Sequence, residues 1–301
     1  MQVNRLSRTR PRRYTGGRGR SGGIRVVHST AVSGPHAFPR AADGSNELFA
    51  SYFGRFSLRR DGVAYSFGQG RSVLELGRYL IARAGGLVAR DELAELLWPE
   101  ADPSQSAHRL HVAISKLRLL LRAYLPVHFD GQNYSVPAGA VTTDCAQFDE
   151  RYAHGMAELA GGSRAQGAAA LQSALALYTG DYLEDARYAD WTISPRSHYA
   201  ERRIMALTYL CEYASAERDL AAVLEVGGRI VELDALRERA HRQLMAAHYR
   251  LGQRAISILQ YRRCEEALAR ELNTRPSRET QRLYEAICTD TPLPVELPLL
   301  R

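Results

Sequence analysis

Apolar residues recur at helical spacing in two long stretches of this chain, and short alternating runs punctuate the first of them. Val73, Leu74, Gly77, Leu80 and Ile81 predict an amphipathic helix that ends near Ala84-Gly85-Gly86. A second, shorter helix over Arg90 to Leu97 turns Leu93, Leu96 and Leu97 inward. Trp98-Pro99 stops it, because proline cannot continue the hydrogen-bond ladder. A third helix opens with Asp102 as N-cap and Pro103 in its first turn, where a missing N–H costs nothing. Ala107, Leu110, Ile114, Leu117 and Leu121 then draw one narrow apolar stripe along it. Two short strands follow, Val127-His128-Phe129 and Tyr134-Ser135-Val136, around Asp130-Gly131-Gln132-Asn133, whose Gly and Asn accept positive φ cheaply. Upstream, Leu48 to Leu58 and Val63 to Phe67 alternate around Asp61-Gly62, which predicts a hairpin packed on the helices.

Helix, helix, long helix, hairpin is the order of a winged helix-turn-helix, assigned here to residues 46–138. The polar face of the third helix carries the functional signal. Opposite the apolar stripe stand Gln105, His108, Val112, Ser115 and Lys116, flanked by Arg109 and Arg122. No Asp or Glu occurs from Pro103 to Phe129, whereas Arg109, Lys116, Arg118 and Arg122 are all cationic. An acid-free helix of this kind can enter a major groove without repelling phosphates, so the pattern points to duplex DNA rather than a small substrate. The hairpin is then a wing that lies against the phosphate backbone or an adjacent minor groove.

From Asp144 the pattern changes to alanine-rich helices, roughly 145–159, 163–177, 195–216, 220–233, 236–251, 254–272 and 277–287. Spans 204–237 and 238–271 superpose at an offset of 34 residues: Leu210 meets Leu244, Ala221 meets Ala255, Leu224 meets Ile258, Arg229 meets Arg263 and Glu232 meets Glu266. That period is the tetratricopeptide one, and Ala221 and Ala255 are expected at the close approach of paired helices. The fold class is therefore mainly α: a winged helix-turn-helix with small β-hairpins, then an all-α tetratricopeptide-like repeat domain over 142–288 and a C-terminal tail over 289–301. Such repeats form surfaces for proteins or peptides and seldom host catalysis.

Composition narrows the reading further. Residues 1–45 hold nine arginines against the single acid Asp43, so the net charge of +7 comes from this tail. Its Arg, Gly and Ser content predicts disorder, and the overall charge by itself says little about DNA. Arg12-Arg13 is not followed by a hydrophobic segment, and no apolar run reaches the length of a signal peptide or a membrane span, so a cytoplasmic, nucleoid-associated chain is expected. Lys116 is the one lysine, preceded by Ser and followed by Leu, which excludes a P-loop, kinase chemistry and a Schiff base. Cys145, Cys211, Cys264 and Cys288 form no C-x-x-C pair and are expected as small helix-core residues. His108 and His111 are placed to pinch a metal, but no third ligand follows at a recognisable spacing, so neither a metal nor a cofactor is expected. His108 is instead placed towards DNA and His111 at the core edge. No nucleophile, base and acid converge as an enzyme would require.

Both halves together resemble the Streptomyces antibiotic regulatory proteins, in which an OmpR-type winged helix joins a bacterial transcriptional activator domain. The resemblance covers about Glu47 to Ile287. It rests on Leu93-Ala94-Glu95-Leu96-Leu97-Trp98-Pro99 and on Arg109-Leu110-His111-Val112-Ala113-Ile114-Ser115-Lys116-Leu117-Arg118. In the second half it rests on Gly180-Asp181-Tyr182-Leu183 with Asp190-Trp191, on His248-Tyr249-Arg250-Leu251-Gly252-Gln253-Arg254-Ala255, and on Pro276-Ser277-Arg278-Glu279-Thr280. The resemblance implies a transcriptional activator that binds direct repeats in promoter DNA, recruits RNA polymerase and forms a homodimer through its helical domain. It assigns recognition-helix contacts to Gln105, His108, Arg109, Val112, Ser115, Lys116 and Arg118, a phosphate contact to Arg122, and wing contacts to Gln132 and Asn133. Two positions depart from the pattern: Leu119-Leu120 replaces a common charge, and Asn133 replaces a common Gly. No receiver-domain pattern precedes residue 47, so control by phosphorylation of such a domain is not expected. The rival reading is a protein-interaction adaptor whose winged helix no longer binds DNA, which the Leu119-Leu120 pair favours.

Overall fold

The computed structural model describes residues 48–67, 70–121 and 124–291; the expected N-terminal tail, Arg122 and residues 292–301 lie outside them. Strands β1 (Leu48–Ser51) and β2 (Ser57–Arg60) pair antiparallel with Leu48 opposite Arg60. Asp61 and Gly62, at φ 49° and 79°, turn the chain into β3 (Val63–Ala64), as positive φ at both central residues of a tight hairpin requires. The anticipated single run from Leu48 to Leu58 breaks at Tyr52, because residues 52–54 bond elsewhere. Strand β7 (Thr142–Thr143) lies parallel to β1 and completes a sheet ordered β3-β2-β1-β7.

The three anticipated helices are α1 (Arg71–Ala82), α2 (Arg90–Leu97) and α3 (Pro103–Leu121), with the hairpin formed by β5 (His128–Phe129) and β6 (Asn133–Ser135). Phe129 stands opposite Tyr134 as the expected turn implies, and β6 begins one residue before Tyr134 and ends at Ser135. Sequence periodicity also misses β4 (Val88–Ala89), which pairs with β6 to give the order β4-β6-β5; two residues are too short to alternate.

The helical half comprises α4 (Asp144–Ala160), α5 (Arg164–Leu175), α6 (Ile193–Ala216), α7 (Leu220–Leu233), α8 (Glu238–Arg250), α9 (Arg254–Leu272) and α10 (Arg278–Cys288). Helix α6 starts two residues before Pro195, which sits in the first turn where the chain needs no N–H donor. Ala221 and Ala255 are exposed, which corrects their expected place at the helix crossings. The crossings fall on pairs twelve residues apart, Gly155 with Gly167, Cys211 with Val223, and Met245 with Ser257. A Cβ on Gly155 would come within 2.9 Å of Leu171, and one on Gly167 within 3.0 Å of the Gly155 carbonyl. Cys211 Sγ lies 3.8 Å from the Val223 carbonyl, and Ser257 Oγ donates to the Met245 carbonyl at 2.7 Å. The 34-residue offset maps the second of these pairs onto the third, so the repeat is real although its small-residue positions were misassigned. Cys145, Cys211 and Cys264 are buried, and Cys288 is half-buried.

The two halves share one core, which runs from Leu48 through Leu117 and Phe148 to Ala247; Met245, Tyr261, Leu283 and Ile287 form a smaller cluster at the far end. The joint is made by Tyr52, Phe53 and Gly54. The Asp144 carboxylate accepts the Tyr52 N–H at 2.8 Å and the Phe53 N–H at 3.0 Å, and the Asp181 carbonyl accepts that of Gly54 at 2.9 Å. In return, the Leu183 and Glu184 amides donate to the Tyr52 and Gly54 carbonyls, and Thr179 Oγ1 donates to that of Phe53. Phe53 packs on Tyr178, Tyr199 and Phe148 at ring separations of 4.6, 5.1 and 5.5 Å. Gly180 has its place here because a Cβ would meet the Gly54 Cα at 2.9 Å.

Burial without a cationic partner pushes the Asp144 carboxyl up to about 6, despite the amides that it accepts. Because the folded chain binds this proton more tightly than the unfolded one, the contribution of Asp144 is fully present below its unfolded value near 4 and is lost as pH rises through 6. Asp144→Asn keeps an acceptor without the charge, so it should match the parent at about pH 4 and gain on the order of 3 kcal/mol on it by about pH 7. Asp144→Ala, which strands the amides of Tyr52, Phe53 and Cys145, should lose roughly 2 kcal/mol or more at about pH 4. Urea midpoints across that range check both; an Asn variant that tracks the parent at every pH contradicts the assignment.

Candidate nucleic-acid interface

Helix α3 is the spine of the site, and its start is built as the sequence suggests. Asp102 Oδ1 accepts the Ser104 N–H at 2.9 Å and the Ser104 hydroxyl at 2.6 Å. These hydrogen bonds hold the Asp102 carboxyl below the ordinary carboxylate range. Leu110, Ala113, Ile114, Leu117 and Leu121 point inward, joined by Ser106; Ala107 is only half-buried. Its principal packing is against α1 and α2. The opposite face is open: Gln105, His108, Arg109, Ser115 and Lys116 are exposed, and Val112 is 37% exposed. His111, expected at the core edge, is also exposed, since it lies one residue past Leu110 on the turn facing solvent. The helical half therefore leaves the whole polar face accessible. Gln105 and Arg109 border a recess of about 480 Å³ shared with Trp98 to Asp102.

Not every predicted contact residue is equally available. Arg118 donates through Nε and Nη2 to the Val127 carbonyl, at 3.1 and 2.8 Å, and so ties the last third of α3 to the strand that leads into the wing. Arg122 falls outside the described residues. Of the apolar pair that follows Arg118, Leu120 packs against the core while Leu119 is 63% exposed.

The wing is braced from its first residue. Asp130 Oδ1 accepts the Gln132 and Asn133 amides at 2.8 and 2.7 Å, and Asn133 Nδ2 donates to Asp130 Oδ2 at 3.2 Å. The left-handed residue is Gly131, at φ 106°, so Asn133 does not take up the backbone that a Gly there would supply. Asn133 is half-buried and pairs through its backbone with Ala89, whereas Gln132 is exposed at the tip. Sequence reasoning missed Arg90. Its amide donates to the Gln132 carbonyl at 3.0 Å, and its half-exposed guanidinium meets Asp91. The one available signal was a cation directly after a short apolar run.

Comparison with known proteins agrees with this architecture. Residues 143–288 match the family model described as the bacterial transcriptional activator domain. The chain is 28% identical over 236 residues to the transcriptional regulatory protein EmbR of Mycobacterium tuberculosis, covering 74% of this chain and 58% of that protein. It is 25% identical over 249 residues to the transcriptional regulatory protein MoaR1 of the same organism, covering 80% of this chain and 79% of MoaR1. With the regulatory protein AfsR of Streptomyces coelicolor it shares 28% identity over 274 residues, 86% of this chain and 26% of AfsR. It thus spans a little over half of EmbR and about a quarter of AfsR. The solved structure of EmbR in complex with a low affinity phosphopeptide superposes with a TM-score of 0.70 at 24% identity, over 83% of this chain and 67% of that one, which establishes the shared fold.

Removing the Arg118 tether gives the interface a structural test. Arg118→Ala should speed amide exchange in the wing, at Phe129 and Tyr134, by about tenfold and leave α6 to α9 unchanged. Unaltered wing exchange by mass spectrometry contradicts a bracing role for Arg118.

Proposed function

The chain belongs to the transcriptional regulators of the Streptomyces antibiotic regulatory and AfsR type, and on that premise we propose that it is a sequence-specific DNA-binding activator. In this reading α3 lies in the major groove of promoter DNA. Gln105, His108, Arg109, Val112 and Ser115 face base edges, while Lys116 and Arg122 hold phosphates. Gln132 carries the wing to the backbone or minor groove, Asn133 braces it, and Arg118 fixes its distance from α3. A second copy, paired through the helical half, occupies an adjacent direct repeat, and the bound pair contacts RNA polymerase. The setting is cytoplasmic, on the nucleoid, and the chain performs no chemistry of its own.

One observation carries the reading. The polar face of α3 holds no carboxylate and remains exposed along its length, although the helical half grips the same winged helix from the other side. Had that half covered Arg109 and Lys116, no duplex could have reached them. The adaptor alternative draws on the exposure of Leu119 and Tyr124, at 63% and 40%. Salt separates the two. DNA affinity that rests on several phosphate contacts falls steeply between about 50 and 200 mM salt, whereas docking through Leu119 barely responds.

Arg109→Ala should weaken binding to a cognate promoter by roughly 1–3 kcal/mol and relax base preference at one position. Lys116→Ala should weaken all sequences about equally and lower the salt slope by about one. Mobility-shift titrations over a salt series read both effects. Unchanged affinity in both variants, or a salt-independent parent, overturns the proposal.

A further inference from the structure

Helix α2 is short and thinly buried. It has eight residues, only Leu93 among them is buried, and no side chain caps its N-terminus, which follows Ala89. Yet α2 packs on α3 and ends at Trp98, directly before the turn that launches the recognition helix. Half-buried Ala94, Leu96 and Leu97 pack against the core beside Leu93, and a side-chain tether to α1 adds to them. Tyr79 on α1, only 4% exposed, donates its hydroxyl to Glu92 Oε1 in the first turn of α2 at 2.5 Å. Burial, reinforced by the Glu92 carboxylate, keeps that hydroxyl protonated and donating.

Tyr79 is itself gripped from the helical half. The segment 184–192 lies along α1 and engages Glu75, Arg78 and Tyr79, whose i, i+3, i+4 spacing puts them on one face. Trp191 Nε1 donates to Glu75 Oε1 at 2.9 Å, and its indole stands edge-on to the Tyr79 ring, 5.0 Å between centroids. The buried Arg78 guanidinium lies 3.3 Å from Glu75 and 3.7 Å from Asp185. A continuous chain of contacts thus runs from Trp191 through Tyr79 to Glu92.

We propose that Tyr79 is a positioning residue for DNA recognition: it relays the docking of the helical half, through Trp191, to α2, and so presets the turn before α3. The inference rests on the DNA-binding reading above. A helix with one fully buried residue and three half-buried ones samples other orientations more often when its tether is cut, and DNA binding must then reorder it. Loss of the tether lowers affinity without removing a phosphate contact.

The test uses the full chain and a duplex that the parent selects from a random-sequence pool. Tyr79→Phe retains the ring that meets Trp191 and deletes only the hydroxyl. It should bind about 5–10-fold more weakly with an unchanged salt slope. Glu92→Ala should do the same, and the double variant should be no weaker than the Tyr79→Phe one, since both cut the Tyr79–Glu92 link; Tyr79→Phe also drops the weaker bond from Arg83. Hydrogen exchange should rise in Arg90–Leu97 and stay unchanged in α6 to α9; Trp191→Phe should raise it in the same place. Parent-like affinity and α2 exchange in Tyr79→Phe overturn the relay, as does a rise spread over the whole chain, which marks a merely structural role. If the parent selects no duplex, the DNA-binding reading itself falls. Exchange in α2 then decides the relay alone, a local rise supporting it and none overturning it.

Discussion

Three consecutive residues, Tyr52, Phe53 and Gly54, leave their own sheet and hand every backbone hydrogen-bonding group to the helical half. Their amides go to Asp144 and Asp181, and their carbonyls accept from Leu183, Thr179 and Glu184. Buried amides and carbonyls must be paired, so neither half can complete itself alone at this point. The aromatic packing around Phe53 and the stacking of Tyr52 on Tyr182, 5.4 Å apart, add apolar burial to the same joint. One continuous core is the consequence, where a linker between two separate domains would have produced two.

That joint explains motifs whose purpose is invisible along the chain. Gly180-Asp181-Tyr182-Leu183 and Asp190-Trp191 belong to no helix of the repeat. Gly180 admits the backbone of Gly54, Asp181 and Leu183 supply hydrogen bonds, Leu183 takes a left-handed backbone at φ 50°, and Trp191 reaches α1. They orient the winged helix upon the stack. Beyond them, ion pairs set the register of alternate helices: Arg202 of α6 meets Asp149 of α4 at 2.5 Å, Arg239 of α8 meets Glu212 of α6 at 2.9 Å, and Arg242 of α8 meets Glu279 of α10 at 3.0 Å. Each falls one helix pair beyond the last, so the stack is keyed at every step as well as packed. The winged helix is thereby attached to the stack through a shared core rather than through a linker.

The interface divides its labour along α3. The helix presents donors and acceptors to solvent as far as Lys116, and beyond it the chain is spent on holding the wing, with Arg118 bonded to Val127 and Leu120 returned to the core. In the proposed DNA-binding reading, a wing held at a fixed distance from α3 would select duplex geometry before any base is read, because phosphate contacts set register and base contacts set sequence. Asp130, the acid that ends the acid-free stretch, is committed to the turn amides of Gln132 and Asn133.

Much of this was legible in the residues alone. Periodicity located the helices because burial of one stripe per helix is a local property of the side chains, and Leu110, Ile114, Leu117 and Leu121 fill it as expected. Asp102 announced its cap and Asp61-Gly62 its turn, since both act within a few residues of themselves. The polar face of α3 could likewise be drawn from spacing, and its exposure required only that nothing distant cover it. Tertiary structure decided the rest, for one reason: partners far apart in sequence leave no periodic trace. The neighbour of Arg118 is nine residues on, those of Tyr52 and Phe53 are over ninety away, and β4 exists only because β6 lies beside it. Even within the regular repeat, the 34-residue period left open which small residues meet. That choice belongs to the rotation of each helix against its neighbour, which placed Gly155, Gly167 and Ser257 at the crossings and turned Ala221 and Ala255 to solvent.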